Sequence, residues 1–206
     1  MNDCALIIFA KLPRVGEVKT RLGKSIGMEK AAEIYKQFAE DAFTLADAMK
    51  SQGVTIYVFF APGAEKDEVD EWVGRDFLYV VQAGENLGER MQHAFERTFA
   101  DGAKRSVVIG TDIPELDSSI LDSAFKQLPN HDIVLGPSTD GGYYLLGMNP
   151  PIKQVFVGIE WSTEKVLQQT LDCLESLRLS YTLLSEFADV DTVEDYQLYL
   201  TRTKSS

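Results

Sequence analysis

The chain has 206 residues, 45% hydrophobic and 25% charged, which suits one globular domain long enough to bury a core. Its 20 basic and 32 acidic side chains give a formal charge of −12, which argues against nucleic acid or an anionic membrane as the main partner, since both require a basic footprint. The apolar run CALIIFA near the N-terminus lacks a basic leader and is too short to span a membrane, so a cytoplasmic protein is expected, with Cys4 and Cys173 as buried thiols.

In chain order, CALIIFA reads as a first strand, and the basic loop Lys11 to Arg21 follows it. Met28 to Gln52 carries Tyr35, Phe38, Ala42, Leu45 and Met49 at three- and four-residue steps, the stripe of an amphipathic helix that Gly53 ends. VTIYVFF is a second strand, AEKDEVDEWVG a short helix and FLYVV a third strand. Leu87 to Ala100 is helical, with Met91, Ala94, Phe95, Thr98 and Phe99 inward. SVVIG is a fourth strand, and Asp117 or Ser118 caps a helix reaching Leu128. DIVLG is a fifth strand, the aromatic pair of GGYYLLG opens another, and PPIKQVF reads as loop and turn. Ser162 or Thr163 caps a helix to about Leu177, and Thr192 to Leu200 forms the last one.

Strands of near-continuous hydrophobicity alternating with helices predict an α/β fold with right-handed crossovers and strands covered on both faces. No repeat, low-complexity tract or linker divides the chain, so residues 1–206 are expected to form one domain. Ligands of open α/β sheets bind beyond the carboxyl ends of the strands, which directs attention to the segments that follow them.

AKLPRVGEVKTRLG concentrates Lys11, Arg14, Lys19 and Arg21 in an otherwise acidic chain, and Gly16 permits a bend whose amides can face a phosphate. Lysine and arginine together suit a polyphosphate, although a solvated loop would look similar. The spacing is neither that of a P-loop nor that of a dinucleotide fingerprint. In GTDIP, Asp112 stands at a strand tip, where a carboxylate serves either a hard divalent ion or an ordinary turn. GPSTDGGYYLLG offers Asp140 beside two glycines, either an approach path for a ligand or a hairpin turn. In ADVDTVEDY, Asp189 and Asp191 alternate and face one side of an extended segment, and Thr192 or Asp191 caps the helix that follows. His93 and His131 lack zinc-ligand spacing, and no G-x-S-x-G elbow or Cys/His pairing supports acyl chemistry.

The ordered set FAKLPRVGEVKTRLG, NLGERM, IGTDIPEL, GPSTDGGYYLLG, IEWST and DVDTVEDY, running from Phe9 to Tyr196, resembles a bacterial family of GT-A-like nucleotide-diphospho-sugar transferases. That family is also called radical-SAM/selenodomain-associated transferase 1 and is related to arsenosugar-biosynthesis glycosyltransferases. The resemblance implies a three-layer α/β/α sandwich on a mostly parallel, mixed central sheet, with a nucleotide held across the strand tips and Mg²⁺ or Mn²⁺ on its phosphates. It implies Asp112 and Asp191 as metal ligands, with Asp189 as the alternative to Asp191. Lys11, Lys19, Arg21, Gln82 and Gly88 are the implied nucleotide contacts, and Lys19, Asp112 and Asp140 the catalytic set.

Two departures bear on the reaction. KLPRVGEVKTR replaces the Gly-x-Gly-Thr-Arg of many nucleotidyltransferases, and GTDIP is one carboxylate short of the Asp-x-Asp of many GT-A glycosyltransferases. The expectation is therefore a metal-dependent transferase with a nucleotide-sugar or nucleoside triphosphate donor and a small-molecule acceptor, transferring either a glycosyl or a nucleotidyl group. A non-catalytic nucleotide- or partner-binding module on the same fold is the alternative. Asp140 would position the acceptor hydroxyl or act as its base, and Trp161 either walls the acceptor site or simply packs.

Overall fold

The six apolar runs named above become strands, and a seventh, three-residue one joins them in a computed structural model that describes residues 3–203. They are β1 (Cys4–Ala10), β2 (Thr55–Phe60), β3 (Leu78–Val81), β4 (Arg105–Ile109), β5 (Ile133–Pro137), β6 (Tyr143–Met148) and β7 (Tyr181–Leu183). One sheet takes them in the order β3-β2-β1-β4-β6-β5-β7. All neighbours pair in parallel except β6, which runs antiparallel between β4 and β5. The reversal comes from a tight turn after β5, in which the Ser138 amide donates to the Gly142 carbonyl at 3.0 Å and the Gly141 amide to Ser138 at 3.1 Å.

The helices are α1 (Thr20–Ile26), α2 (Met28–Ser51), α3 (Lys66–Val73), α4 (Leu87–Ala100), α5 (Ser118–Gln127), α6 (Val166–Ser176) and α7 (Val193–Thr203), with a short 3₁₀ turn at Lys153–Phe156. Alternation along β1 shows the layering. Leu6, Ile8 and Ala10 pack with residues of α2, α3 and α5, while Ala5 and Ile7 pack with α4 and α6 on the opposite face. The molecule is thus the expected three-layer α/β/α sandwich.

Several local expectations shift. The buried stripe of α2 runs through Tyr35, Ala39, Phe43, Ala46 and Met49, leaving Ala42 and Leu45 at its margins. β3 is an edge strand, so Leu78 and Val81 stay exposed instead of being covered on both faces. Helix α1 starts at Thr20, within the basic stretch, and β7 is only three residues long, too short to announce itself. Cys4 and Cys173 are unpaired thiols but only partly buried. Asp117, not Ser118, caps α5, accepting from the amides of Ser119 at 2.8 Å and Ile120 at 3.1 Å. Helix α6 begins at Val166, because the Thr163 hydroxyl is spent on the Glu160 carbonyl at 2.7 Å and the Lys165 amide at 3.3 Å.

The strand order places the site. From β1 the chain moves to β2 and β3 on one side and then returns to lay β4 on the other, so the order reverses between β1 and β4. A crevice opens beyond the carboxyl ends of strands at such a point. Ala10 and Ile109 end the two strands there, and the basic loop and GTDIP leave them side by side.

Candidate active site

At this switch point lies a cleft of about 780 Å³. Lys11, Lys19, Arg21, Gln82, Asp112, Asp140, Asp189 and Asp191 all line it, although they come from five separate segments.

Lys19 is its centre. It is the residue before α1, with φ 45° and ψ 41°, a left-handed conformation that few non-glycine residues adopt. Gly23 holds it there by donating its amide to the Lys19 carbonyl at 2.8 Å. The side chain is 2% exposed, and its ammonium contacts carboxylates of both Asp112 and Asp191, the latter at 3.0 Å. Burial works against the Lys19 charge, but the two carboxylates outweigh it and hold its pKa above the ordinary lysine value. Ser162, the other described cleft residue with a positive φ that is not glycine, has φ 64°.

How Asp191 reaches Lys19 follows from capping. The Thr192 hydroxyl accepts the Asp195 amide at 3.2 Å, and Asp195 reciprocates on the Thr192 amide at 2.8 Å, so α7 has its cap without Asp191. The Asp191 carboxylate is thereby left for the cleft. The Val190 amide donates to the Asp112 carbonyl at 3.1 Å, which pins the DVDT segment to the GTDIP loop.

The remaining residues surround this pair. The Lys11 amide donates to the Tyr35 hydroxyl at 2.7 Å, and the Thr111 hydroxyl reaches the same oxygen at 3.3 Å. Burial pushes the Tyr35 phenol up to about 12, so it remains a neutral hydrogen-bonding hub beneath the loop. Arg21 is exposed on the first turn of α1. Gln82 is 8% exposed, its side-chain amide donating to the Phe59 carbonyl at 2.8 Å. Asp140 accepts the Gly142 amide at 2.8 Å through one oxygen.

Two sequence readings change in detail. Arg14 leaves the basic set: it forks onto the Glu68 carboxylate at 2.7 and 2.9 Å and onto the Gly63 carbonyl at 3.2 Å, tying the loop to α3. Gly88 does not line the cleft. The space a side chain would fill there is taken by the Trp161 indole, which itself forms part of the cleft wall. Tyr35 and Arg90 were not anticipated, and Arg90 lies in the cleft wall with its Nε donating to the Gly84 carbonyl at 3.1 Å. The one signal for Tyr35 was a phenol within an otherwise apolar helical stripe.

Asp189 is the strained carboxylate. Partial burial, then the neighbouring charges of Asp140 and Asp191, raise its pKa from 3.8 to about 6, and the Ser138 hydroxyl reaches it only at 3.5 Å. Between these values the folded protein binds the proton that the unfolded chain has lost, so the Asp189 contribution to stability falls as pH rises through about 6. Because the group is partly solvated, a cost of about 1 kcal/mol is expected above that range. Asp189→Asn should therefore melt higher than the parent at about pH 8, and the gain should vanish at about pH 4, by thermal melts with a chelator present.

Residues 44–163 match the family described as "uncharacterized protein conserved in bacteria (DUF2064)". The chain belongs to this family. Among solved structures the DUF2064 chain is similar to a "putative nucleotide-diphospho-sugar transferase" from Desulfovibrio desulfuricans G20, at 36% identity and a TM-score of 0.93 over 100% of this chain and 90% of that one. It also shares the fold of Rv0371c from Mycobacterium tuberculosis H37Rv in complex with manganese (15% identity, TM-score 0.59, 97% and 99% covered). The inositol-1-phosphate CTP transferase from T. maritima is a third such structure (14% identity, TM-score 0.58, 98% and 96% covered). No curated protein matches the DUF2064 chain significantly. The sandwich is therefore a nucleotide-diphospho-sugar transferase fold, as the motif order implied. No helix among the described residues is long and apolar enough to cross a membrane.

Proposed function

We propose that the protein is a divalent-metal-dependent transferase whose donor is a nucleotide-sugar or nucleoside triphosphate and whose acceptor is a small molecule, with glycosyl or nucleotidyl transfer as its reaction. The observation that carries this reading is the meeting of Asp112 and Asp191 on the Lys19 ammonium, across a sequence separation of 172 residues between Lys19 and Asp191. Support also comes from the similar Desulfovibrio desulfuricans structure, described as a "putative nucleotide-diphospho-sugar transferase", and from the CTP transferase that shares the fold.

The donor set can be tested against Mg²⁺ or Mn²⁺. Among the described residues no group of three or more His, Cys, Asp or Glu side chains is arranged to hold a metal alone. Two carboxylates are nonetheless what such an ion asks of a protein when phosphates and water complete its shell. Asp112 and Asp191 are 47% and 41% exposed, so their outer oxygens face the cleft. They fit, and such an ion when bound would neutralise charge on the donor phosphates.

The chain's own groups supply the rest. Lys19 and Arg21 offer cationic donors to the phosphates as negative charge grows on the departing group. Gln82 and Lys11 would contact the nucleotide from the strand-tip side. Asp140 keeps one oxygen on the Gly142 amide, leaving the other to accept the acceptor's hydroxyl proton. Trp161 forms the wall beside it.

The test is calorimetric titration with a panel of nucleoside triphosphates and nucleotide-sugars, with and without Mg²⁺ or Mn²⁺. We expect at least one ligand to bind more tightly with metal, and the gain to disappear in Asp112→Ala. Binding that survives Asp112→Ala, with no product from any donor and acceptor, would instead identify a binding module on this fold.

A further inference from the structure

We propose that Lys19 is a built-in occupant of the cation position, so that a divalent ion enters the Asp112–Asp191 pair only together with a phosphate-bearing ligand that draws the ammonium away. This rests on the metal-dependent reading above and adds a binding order to it.

The pair is not waiting empty-handed for a cation. Its two carboxylates already share one ammonium that is 2% exposed, and the contact is built from the backbone up. The left-handed turn at Lys19 directs the side chain inward, and α1 fixes that turn through the Gly23 amide. The Val190 amide, on the Asp112 carbonyl at 3.1 Å, holds the two acidic segments together beneath it.

Charge then decides the order of events. A divalent ion arriving alone meets carboxylates that are half neutralised and a buried like charge in contact with both, and repulsion between ions a few ångströms apart is large where water is scarce. A diphosphate changes both terms at once. It gives the ammonium an anionic partner in the same cleft, where Lys11 and Arg21 already favour phosphate, and it returns both carboxylates to the ion. Metal and phosphate should thus bind with positive coupling, and the coupling should run through the Lys19 charge.

The experiment measures Mn²⁺ binding to the full chain by the loss of the free-ion paramagnetic resonance signal. It is done with Mn²⁺ alone and with Mn²⁺ plus inorganic pyrophosphate, allowing for their complex in solution. For the parent protein we expect weak binding of Mn²⁺ alone and clear tightening with pyrophosphate. For Lys19→Met we expect Mn²⁺ alone to bind about tenfold or more tightly than in the parent, with the pyrophosphate effect reduced. Lys19→Arg, which keeps the charge, should behave like the parent. Equal or weaker Mn²⁺ affinity in Lys19→Met overturns the inference while leaving the metal site standing. No Mn²⁺ binding in any form, with pyrophosphate or with nucleotides, overturns the metal reading itself. Should Lys19→Met fail to fold, the parent alone still decides, because Mn²⁺ affinity indifferent to pyrophosphate is incompatible with the inference.

Discussion

Asp112→Asn should reduce turnover of whichever donor the titrations identify by about 10²- to 10³-fold, with a smaller change in KM. The substitution keeps the shape of the side chain and removes its charge. Lys19 retains Asp191 at 3.0 Å, so the buried ammonium is not stranded. Because Asp112 is 47% exposed, the loss of its ion pair should cost at most about 1 kcal/mol of stability. Fold and function should therefore separate: nearly the same melting temperature, far lower kcat. A group that helps to bind the donor and acts more strongly on charge developing in the transition state shows this split, whereas one that merely holds the ground state raises KM alone. Steady-state kinetics with circular-dichroism melts on the same preparations makes the comparison. A fall in KM-linked affinity alone, with kcat intact, would remove Asp112 from the chemistry.

Gly141→Ala should be the most damaging single-methyl change near the cleft. Its φ of +86° already disfavours a side chain, and the added carbon would overlap the Glu164 backbone, with the carbonyl carbon at 2.7 Å and Cα at 2.8 Å. Backbone cannot rotate aside as a flexible side chain can. Relief must come from moving the start of α6, which breaks the Leu167 amide bond to the Gly141 carbonyl at 2.8 Å. Strain and the lost bond together amount to about 3 kcal/mol, or roughly 6–12 °C in melting temperature for a chain of this size. Activity should fall as well, since the same turn carries Asp140. Gly16→Ala is the control: its φ is similar at +81°, but no atom lies within 4 Å of the added carbon, so only the conformational cost of about 1–2 kcal/mol applies.

The contrast between these glycines shows what kind of information each level carries. DGG was legible as a turn because its chemistry is local, and the hairpin between β5 and β6 followed. That Gly141 is needed for the approach of Glu164 was not legible, because their contact joins segments with no shared periodicity. Gly88 illustrates the same limit. Two residues earlier, Asn86 caps α4 by accepting the Glu89 amide at 3.0 Å, a local contact, but nothing local says that Trp161 fills the open side of Gly88. Arg14 shares the basic loop with Lys19 and Arg21, and only the position of Glu68 on α3 assigns it to scaffolding.

By itself, the amino-acid order determined the alternating α/β layers, the sheet's long strands and the segments that end at their carboxyl tips. Those features depend on the two- and 3.6-residue periods and on capping, all of which act over a few residues. Tertiary structure alone decided which charges meet. The switch of strand order between β1 and β4 opened the cleft, and the Thr192–Asp195 cap released Asp191 into it. The left-handed backbone at Lys19 then turned a basic side chain away from solvent and onto two carboxylates. Electrostatic contacts between segments far apart in the chain leave no period to read, so where a phosphate-seeking lysine rests was settled only when the chain folded.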